Sequence, residues 1–159
     1  MISIKINDKD NFMNSLIVGH LFDDFNMTEC SVNTFIKYSI DGKLNKDYFD
    51  EETNNDFILW KDFKSIFTTL IRGNRAPSKI KLVLSLSPLG YNGFINSNSI
   101  NINPDNISGL YMNINYDDGG LNIITATSQK VFTMSKDLDI AWDNTVVSIL
   151  KKNFDVDIL

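Results

Sequence analysis

A helix followed directly by a strand, within residues 57–87, is the feature that most limits how this chain can fold. In its first half, apolar side chains recur at three- and four-residue spacing, which places them on one helix face: Phe63, Ile66, Phe67, Leu70 and Ile71. Gly73 can take the left-handed conformation that ends a helix, and Pro77 prevents the helix from resuming. From Lys79 to Ser87, apolar residues alternate with mostly polar ones, which predicts a strand with one buried face.

The start of this helix is left open between two aspartates. If Asp56 caps the helix, Phe57–Trp60 is helical. If Asp62 caps it, Phe57–Trp60 is a short strand that leads into the helix. Both arrangements fit the local sequence, so the choice depends on the surrounding structure.

The chain before this unit predicts a strand, a helix and a hairpin. Alternation of isoleucines predicts a strand at Met1–Ile6, and Asp8 can cap a helix that begins at Lys9. Extended segments follow over residues 26–49. Asp41-Gly42 is typical of a two-residue hairpin turn, so Lys43–Phe49 is predicted to be the return strand.

The chain after this unit predicts a loop, more strands and a final helix. Pro88–Asn106 is rich in Asn, Ser, Gly and Pro, which indicates a loop. A second hairpin is expected to turn at Asp117–Gly120, and a further strand is expected at Lys130–Met134. Ser135 can cap a terminal helix that continues to about Asn153.

These elements give the order β-α-β-β-α-β-β-β-β-α. The order predicts an α+β fold in which helices pack against an antiparallel sheet. A chain of 159 residues that is 43% hydrophobic is long enough to bury a core, so we expect a single domain over residues 1–159.

Hydropathy and cysteine usage predict a cytoplasmic protein. No run of 18 apolar residues is present, so no membrane span is expected. The first ten residues already carry four charges and lack the apolar centre of a signal peptide, so secretion by that route is not expected. Cys30 is the single cysteine, which fits a reducing compartment.

The residue inventory excludes several kinds of catalytic and metal site. His20 and Cys30 are each the only residue of their type, which excludes multi-histidine metal sites, zinc ribbons and iron–sulfur clusters within one chain. A Cys30–His20 nucleophile pair is conceivable, but a lone cysteine is more often a small buried hydrophobe. Neither a glycine-rich phosphate loop nor a Gly-x-Ser-x-Gly motif is present. We therefore expect no cofactor.

Clustered acids leave one enzymatic alternative open. Asp50-Glu51-Glu52 and Asp117-Asp118 could serve a small carboxylate- or metal-dependent hydrolase. Both clusters lie in turn-like segments, where acids are mostly solvated. The favoured reading is therefore a protein that binds and does not catalyse.

The clearest charge anomaly is a basic stretch within residues 57–87. This segment carries six basic residues against one acid, so its net charge is +5 in a chain of −5. The candidate polyanion-binding residues are Lys61, Lys64, Arg72, Arg75, Lys79 and Lys81. Such a run could hold phosphates through sequence-independent contacts. The alternative is a solvated face balanced by the acidic loop Asp50–Asp56.

Several segments resemble an uncharacterised family of small cytosolic proteins from clostridial-type bacteria, a domain of unknown function. The segments that carry the resemblance are Ile40–Phe49, Leu86-Ser87-Pro88, Thr125–Phe132 and Trp142-Asp143. The segments are short, but the resemblance would extend over nearly the whole chain. The resemblance implies no known activity and supplies no functional residues.

A second resemblance is topological. A strand, a helix, extended segments, a second helix and a run of antiparallel strands is similar to one domain of the DNA sliding clamps. In that fold two helices line the DNA-facing side, whereas here the first helix is not basic. The resemblance implies a clamp-like accessory factor whose partner is nucleic acid or a protein, and fold analogy alone does not establish this.

Overall fold

The computed structural model describes every residue from Met1 to Leu159. The strands are β1 (Ser3–Ile6), β2 (Asn26–Asn33), β3 (Lys37–Asp41), β4 (Ile58–Leu59), β5 (Lys79–Ser85), β6 (Ile107–Asp117), β7 (Gly120–Gln129) and β8 (Val156–Ile158). The helices are α1 (Lys9–Ile17), α2 (Trp60–Ile71), α3 (Tyr91–Asn98) and α4 (Asp137–Asn153). Short 3₁₀ turns lie at Lys46–Tyr48, Pro88–Gly90 and Pro104–Asn106.

All eight strands belong to one antiparallel sheet. Its order is β3-β2-β5-β6-β7-β1-β8, and β4 pairs with the start of β2. The predicted α+β class with an antiparallel sheet is therefore confirmed. None of the four helices combines the length and apolar character needed to cross a bilayer.

Helices α1, α2 and α4 cover one face of the sheet, which we call the core face. Leu82 of β5 pairs with Cys30 of β2 and Ile114 of β6, and all three side chains are buried. They belong to one cluster of 29 buried residues that also includes residues from all four helices. The opposite face, which we call the outer face, carries mainly polar residues. This arrangement gives two layers around a single core.

The start of α2 is capped by backbone groups. The Trp60 N–H donates to the Phe25 carbonyl at 2.8 Å, and the Lys61 N–H donates to the Asp23 carbonyl at 3.2 Å. Neither Asp56 nor Asp62 caps the helix. Of the two arrangements left open by the sequence, the short strand is observed, because Ile58–Leu59 forms β4.

The end of α2 differs from the prediction. The helix ends at Ile71, and Arg72 is already extended, with φ −71° and ψ 134°. Gly73 does not adopt a positive φ. Gly120 is the only glycine with a positive φ. The chain leaves the helix through extended backbone and therefore needs no left-handed residue.

The first hairpin was predicted at the wrong turn. Asn33 of β2 pairs with Lys37 of β3, so the chain reverses at Thr34–Ile36. Asp41 ends β3, and Lys43–Phe49 is not a return strand, since it forms only a bridge from Lys43 to Phe57 and a 3₁₀ turn.

Gly42 is explained by packing. A Cβ at Gly42 would lie 1.8 Å from the Met27 carbonyl oxygen, so only glycine lets the two backbones come this close. The glycine marks a close approach of β2 and the chain after β3, and it does not form a turn.

Three other segments differ from expectation. Part of the predicted loop Pro88–Asn106 is α3, which buries Tyr91, Phe94 and Ile95. The predicted strand Lys130–Met134 is irregular and exposes Phe132 and other apolar side chains. A strand absent from the prediction, β8, pairs with β1 after α4.

The second hairpin turns as predicted, where the Gly119 N–H donates to Asp117 Oδ1 at 2.8 Å.

The packing of α2 generates a stability prediction. Phe67 is fully buried, and its ring centroid lies 5.2 Å from that of Trp60. Phe67→Ala should lower the free energy of unfolding by about 3–5 kcal/mol because a packed aromatic side chain is lost. Chemical denaturation would measure this loss. Ile66→Ala is the control, since Ile66 is 48% exposed on the same helix and should change stability by less than about 0.5 kcal/mol. Equal losses of stability in Phe67→Ala and Ile66→Ala would mean that α2 is not packed as described.

Candidate functional site

The six predicted basic residues do not share one face. Lys79 and Lys81 alternate with the buried Ile80 and Leu82 along β5, so their side chains lie on the outer face. Lys61 belongs to α2, whose buried residues pack on the core face. The sheet therefore separates the lysines of α2 from those of β5.

Lys64 is bound within the fold. Its Nζ donates to Asp23 Oδ1 at 2.7 Å and to the Gly19 carbonyl at 3.1 Å. Its side chain is only 19% exposed, and that of Asp23 is 17% exposed. Lys64 ties α2 to the segment after α1, so its charge is already matched by a carboxylate.

Four other bases lie around the turn of the β2–β3 hairpin, and we call them the hairpin-end cluster: Lys37, Arg72, Arg75 and Lys79. Lys37 and Lys79 flank Asn33 in one cross-strand row on the outer face, roughly 10 Å apart at the usual strand spacing. All four are exposed, and none forms an ion pair with an acid. Their charges are therefore directed to solvent.

The outer face carries a charge gradient that rises toward the hairpin turn. From the turn inward, its rows on β3, β2 and β5 are Lys37–Asn33–Lys79, Ser39–Ser31–Lys81 and Asp41–Glu29–Val83. Lys81 pairs with Glu29 at 3.5 Å, so the middle of this surface is partly neutralised. The positive potential is thus greatest at the hairpin end.

The two arginines line a cleft on the other side of the hairpin turn. The cleft has a volume of about 540 Å³, and its wall includes Arg72, Arg75, Phe35, Tyr38 and Leu70. Phe35 lies at the turn and is 88% exposed. An exposed aromatic ring therefore lines the same cleft as the two arginines, at the end of the hairpin where Lys37 and Lys79 also lie.

Lys37 and Phe35 are functional candidates that the sequence alone did not indicate. Lys37 joins the cluster only because the hairpin turns at Thr34–Ile36, a turn without Gly, Pro, Asn or Asp. One sequence feature could have indicated this site. Phe35 lies between two segments of alternating apolar and polar residues, and a large apolar residue at an exposed turn is not explained by packing in the core. Placing the turn at Asp41-Gly42 concealed this signal.

The conceivable Cys30–His20 pair is not formed. Cys30 is buried on the core face, and burial raises the pKa of its thiol to about 12, with a smaller contribution from Glu29. The exposed His20 ring instead contacts Asp23, with 2.7 Å between Nδ1 and Oδ2. The thiol therefore lacks both a base and access to solvent.

The acidic segments are solvated. Asp50, Glu51 and Glu52 are exposed, as are Asp117 and Asp118. No group of three or more His, Cys, Asp or Glu side chains is placed to hold a metal ion.

Comparison with known proteins gives a family and no function. The model of a family described as "Family of unknown function (DUF5721)" matches residues 15–156. No curated protein and no solved structure matches the chain.

The ion pair of Lys64 generates a pH-dependent stability prediction. The Lys64 hydrogen bond, more than that of His20, holds the pKa of Asp23 below its ordinary value of 3.8. Lys64→Met should cost about 1–3 kcal/mol at neutral pH, because it leaves a largely buried carboxylate without its main partner. A carboxylate with a lowered pKa contributes stability above its unfolded pKa and loses it as pH falls through its folded pKa. The difference in Tm between wild type and Lys64→Met should therefore shrink below about pH 4.

Thermal melts from neutral pH to the acid range would measure this difference. Lys61→Met is the matched control, since Lys61 is exposed on the same helix and pairs with no acid. A Tm difference for Lys64→Met that stays constant across the acid range would contradict the assigned role of the Lys64–Asp23 pair.

Proposed function

The chain belongs to the family of unknown function DUF5721, and we propose that it is a non-enzymatic protein that binds nucleic acid through the hairpin-end cluster. The observation that carries this proposal is the convergence of four exposed, unpaired bases around one exposed aromatic residue. Lys37 and Lys79 approach the ligand from the outer face, while Arg72 and Arg75 approach from the cleft.

The charge distribution supports a polyanionic ligand. The whole chain has a net charge of −5, so most of its surface disfavours phosphate. Unpaired lysines and arginines attract phosphate groups without reading base sequence. A polyanion should therefore prefer the hairpin end, where four exposed bases lie together and none is paired with an acid.

The aromatic residues favour single-stranded nucleic acid over duplex. Unpaired bases stack on aromatic rings, and each stacked base contributes about 1–3 kcal/mol. Phe35 is exposed at the hairpin turn, and Tyr38 lines the adjoining cleft. In a duplex, the base faces are not available to such rings.

The cellular setting is also part of the proposal. We place the protein in the bacterial cytoplasm, where a lone thiol such as Cys30 stays reduced, as an accessory factor for nucleic acid or for an enzyme that acts on it. Clamp-like topology remains a hypothesis. The proposed contact differs from that of a clamp, whose helices face DNA, because it lies at the hairpin end.

The alternative of a carboxylate- or metal-dependent hydrolase has less support. It requires acids from separate segments to converge in a pocket with perturbed pKa values. The two acidic segments named by the sequence are exposed, and no observation brings them together.

Binding should depend on salt and on the cluster. Contact with about four phosphates of a fluorescein-labelled oligothymidylate predicts a slope of log K against log salt near −3. Arg72→Ala/Arg75→Ala/Lys79→Ala should reduce the slope to about −1 and leave the melting temperature nearly unchanged, because the three charges are solvated. Fluorescence anisotropy at several salt concentrations would measure the binding constant, and hence the slope, for both proteins.

The matched control is Lys43→Ala/Lys61→Ala/Lys130→Ala, which removes the same charge from exposed positions elsewhere. This control should bind with nearly the wild-type slope. Phe35→Ala should remove the preference for single strands over duplex of the same length. Absence of wild-type binding at micromolar protein and low salt would contradict the proposal. Equal losses in the two triple variants would mean that only net charge matters.

A further inference from the structure

A second site lies at the opposite end of β2 from the hairpin turn. Asn26 of β2 pairs with Ser85 of β5, and Ser85 pairs with Tyr111 of β6. Residues paired across strands project on the same face, so these three polar side chains form one row on the outer face. The row lines a cavity of about 490 Å³, which Tyr91 of α3 also lines.

Three polar residues of this cavity are largely buried, yet their side chains form no hydrogen bond with the protein. Asn26 is 7% exposed, Ser85 is 5% exposed and Tyr91 is 7% exposed. Their side chains take part in none of the hydrogen bonds within the protein. The neighbouring Thr28, by contrast, donates to the Val83 carbonyl at 3.3 Å. Asn33 Oδ1 is the only fully buried side-chain polar atom without a partner, so the polar atoms of Asn26, Ser85 and Tyr91 are accessible from the cavity. Three such groups with free hydrogen-bonding capacity on one cavity are the convergent polar groups expected of a small-molecule site.

The Tyr111 ring is packed against the backbone, and the Tyr91 hydroxyl keeps its proton. A Cβ at Gly109 would lie 2.2 Å from the hydroxyl oxygen of Tyr111, so the Tyr111 ring rests directly on the Gly109 backbone. Burial, and then the proximity of Tyr111, raise the pKa of the Tyr91 phenol. Tyr91 therefore stays neutral at physiological pH and keeps its hydroxyl proton for donation.

The walls of the cavity are neutral inside and acidic at the rim. The segment from Glu52 to Phe57 and the segment from Leu86 to Leu89 also line the cavity, and no Lys, Arg or His takes part. Glu52 and Asp56 are exposed, and Asp56 already pairs with Lys46 at 3.0 Å. An anion would meet two carboxylates and find no counter-charge.

We propose that this cavity binds a neutral, polyhydroxylated small molecule of the size of a mono- or disaccharide. An amide, a hydroxyl and two phenols provide several neutral donors and acceptors for ligand hydroxyls. The tyrosine rings provide apolar surface for the carbon skeleton. The volume lies within the range of about 300–1,000 Å³ that is usual for small-molecule sites.

Amide chemical shifts in a ¹⁵N-labelled sample would test this proposal. The probes are D-glucose, N-acetyl-D-glucosamine and maltose, with glucose 6-phosphate as the charged comparison. At least one neutral probe should shift the amides of Asn26, Ser85, Tyr91 and Tyr111, and its affinity should not change with salt. If no neutral probe shifts these amides, or if glucose 6-phosphate binds better, the cavity holds only water or takes another ligand, and the proposal is wrong.

Substitutions that each remove one hydroxyl oxygen provide a second test of the proposal. Tyr91→Phe and Ser85→Ala should each weaken binding of the responding sugar about tenfold, because each removes a hydrogen bond inside a buried site. Tyr48→Phe is the matched control, since Tyr48 is 82% exposed outside the cavity. All three variants should melt within a few degrees of wild type. Clear destabilisation by both Tyr91→Phe and Ser85→Ala, with sugar affinity unchanged, would mean that these groups serve the fold.

Discussion

The position of β5 between β2 and β6 is the constraint on which the rest of the structure depends. Pairing Leu82 with Cys30 and Ile114 places three apolar side chains on the core face. The same register places Lys79 and Lys81 on the outer face, since successive side chains of a strand project to opposite sides. A slip of one residue would bury the lysines and expose the leucines, so the apolar core fixes the charge pattern of the surface.

Two buried tryptophans attach the helices to this sheet. The Trp60 indole N–H donates to the Leu16 carbonyl at 2.8 Å and joins α2 to α1. The Trp142 indole N–H donates to the Tyr111 carbonyl at 2.9 Å and joins α4 to β6. Each indole buries a large apolar surface while its one polar group stays satisfied. The second bond also holds the backbone of Tyr111, whose ring lines the polar cavity.

Local patterns in the sequence predicted the central elements well. The spacing of Phe63 and Phe67 identified α2, and the alternation around Leu82 identified β5, because both elements bury one regular face. Ile66 shows the limit of such patterns, since it fits the apolar spacing of α2 and is nonetheless half exposed. Spacing alone does not tell how wide the buried face of a helix is.

Features determined by distant contacts were not predictable. Asp41-Gly42 has the composition of a hairpin turn, but the carbonyl of Met27 requires the glycine there. The consequence for the site was direct, because the true turn brings Lys37 into the same cross-strand row as Lys79. The cap of α2 likewise comes from carbonyls of residues 23 and 25, more than thirty positions away. Helix α3 was not predicted, because the Asn, Ser and Gly residues around its three buried residues are typical of a loop.

Contact between nucleic acid and the hairpin end is tested most directly by photo-crosslinking. A benzophenone amino acid would replace Phe35 in one protein and the exposed Ile66 of α2 in another, each mixed with labelled oligothymidylate at low salt. Crosslinked product is expected from position 35 and little from position 66, and added salt should abolish the crosslinking at position 35. Crosslinking mainly from position 66 would place the contact on the helix layer and contradict the assigned surface.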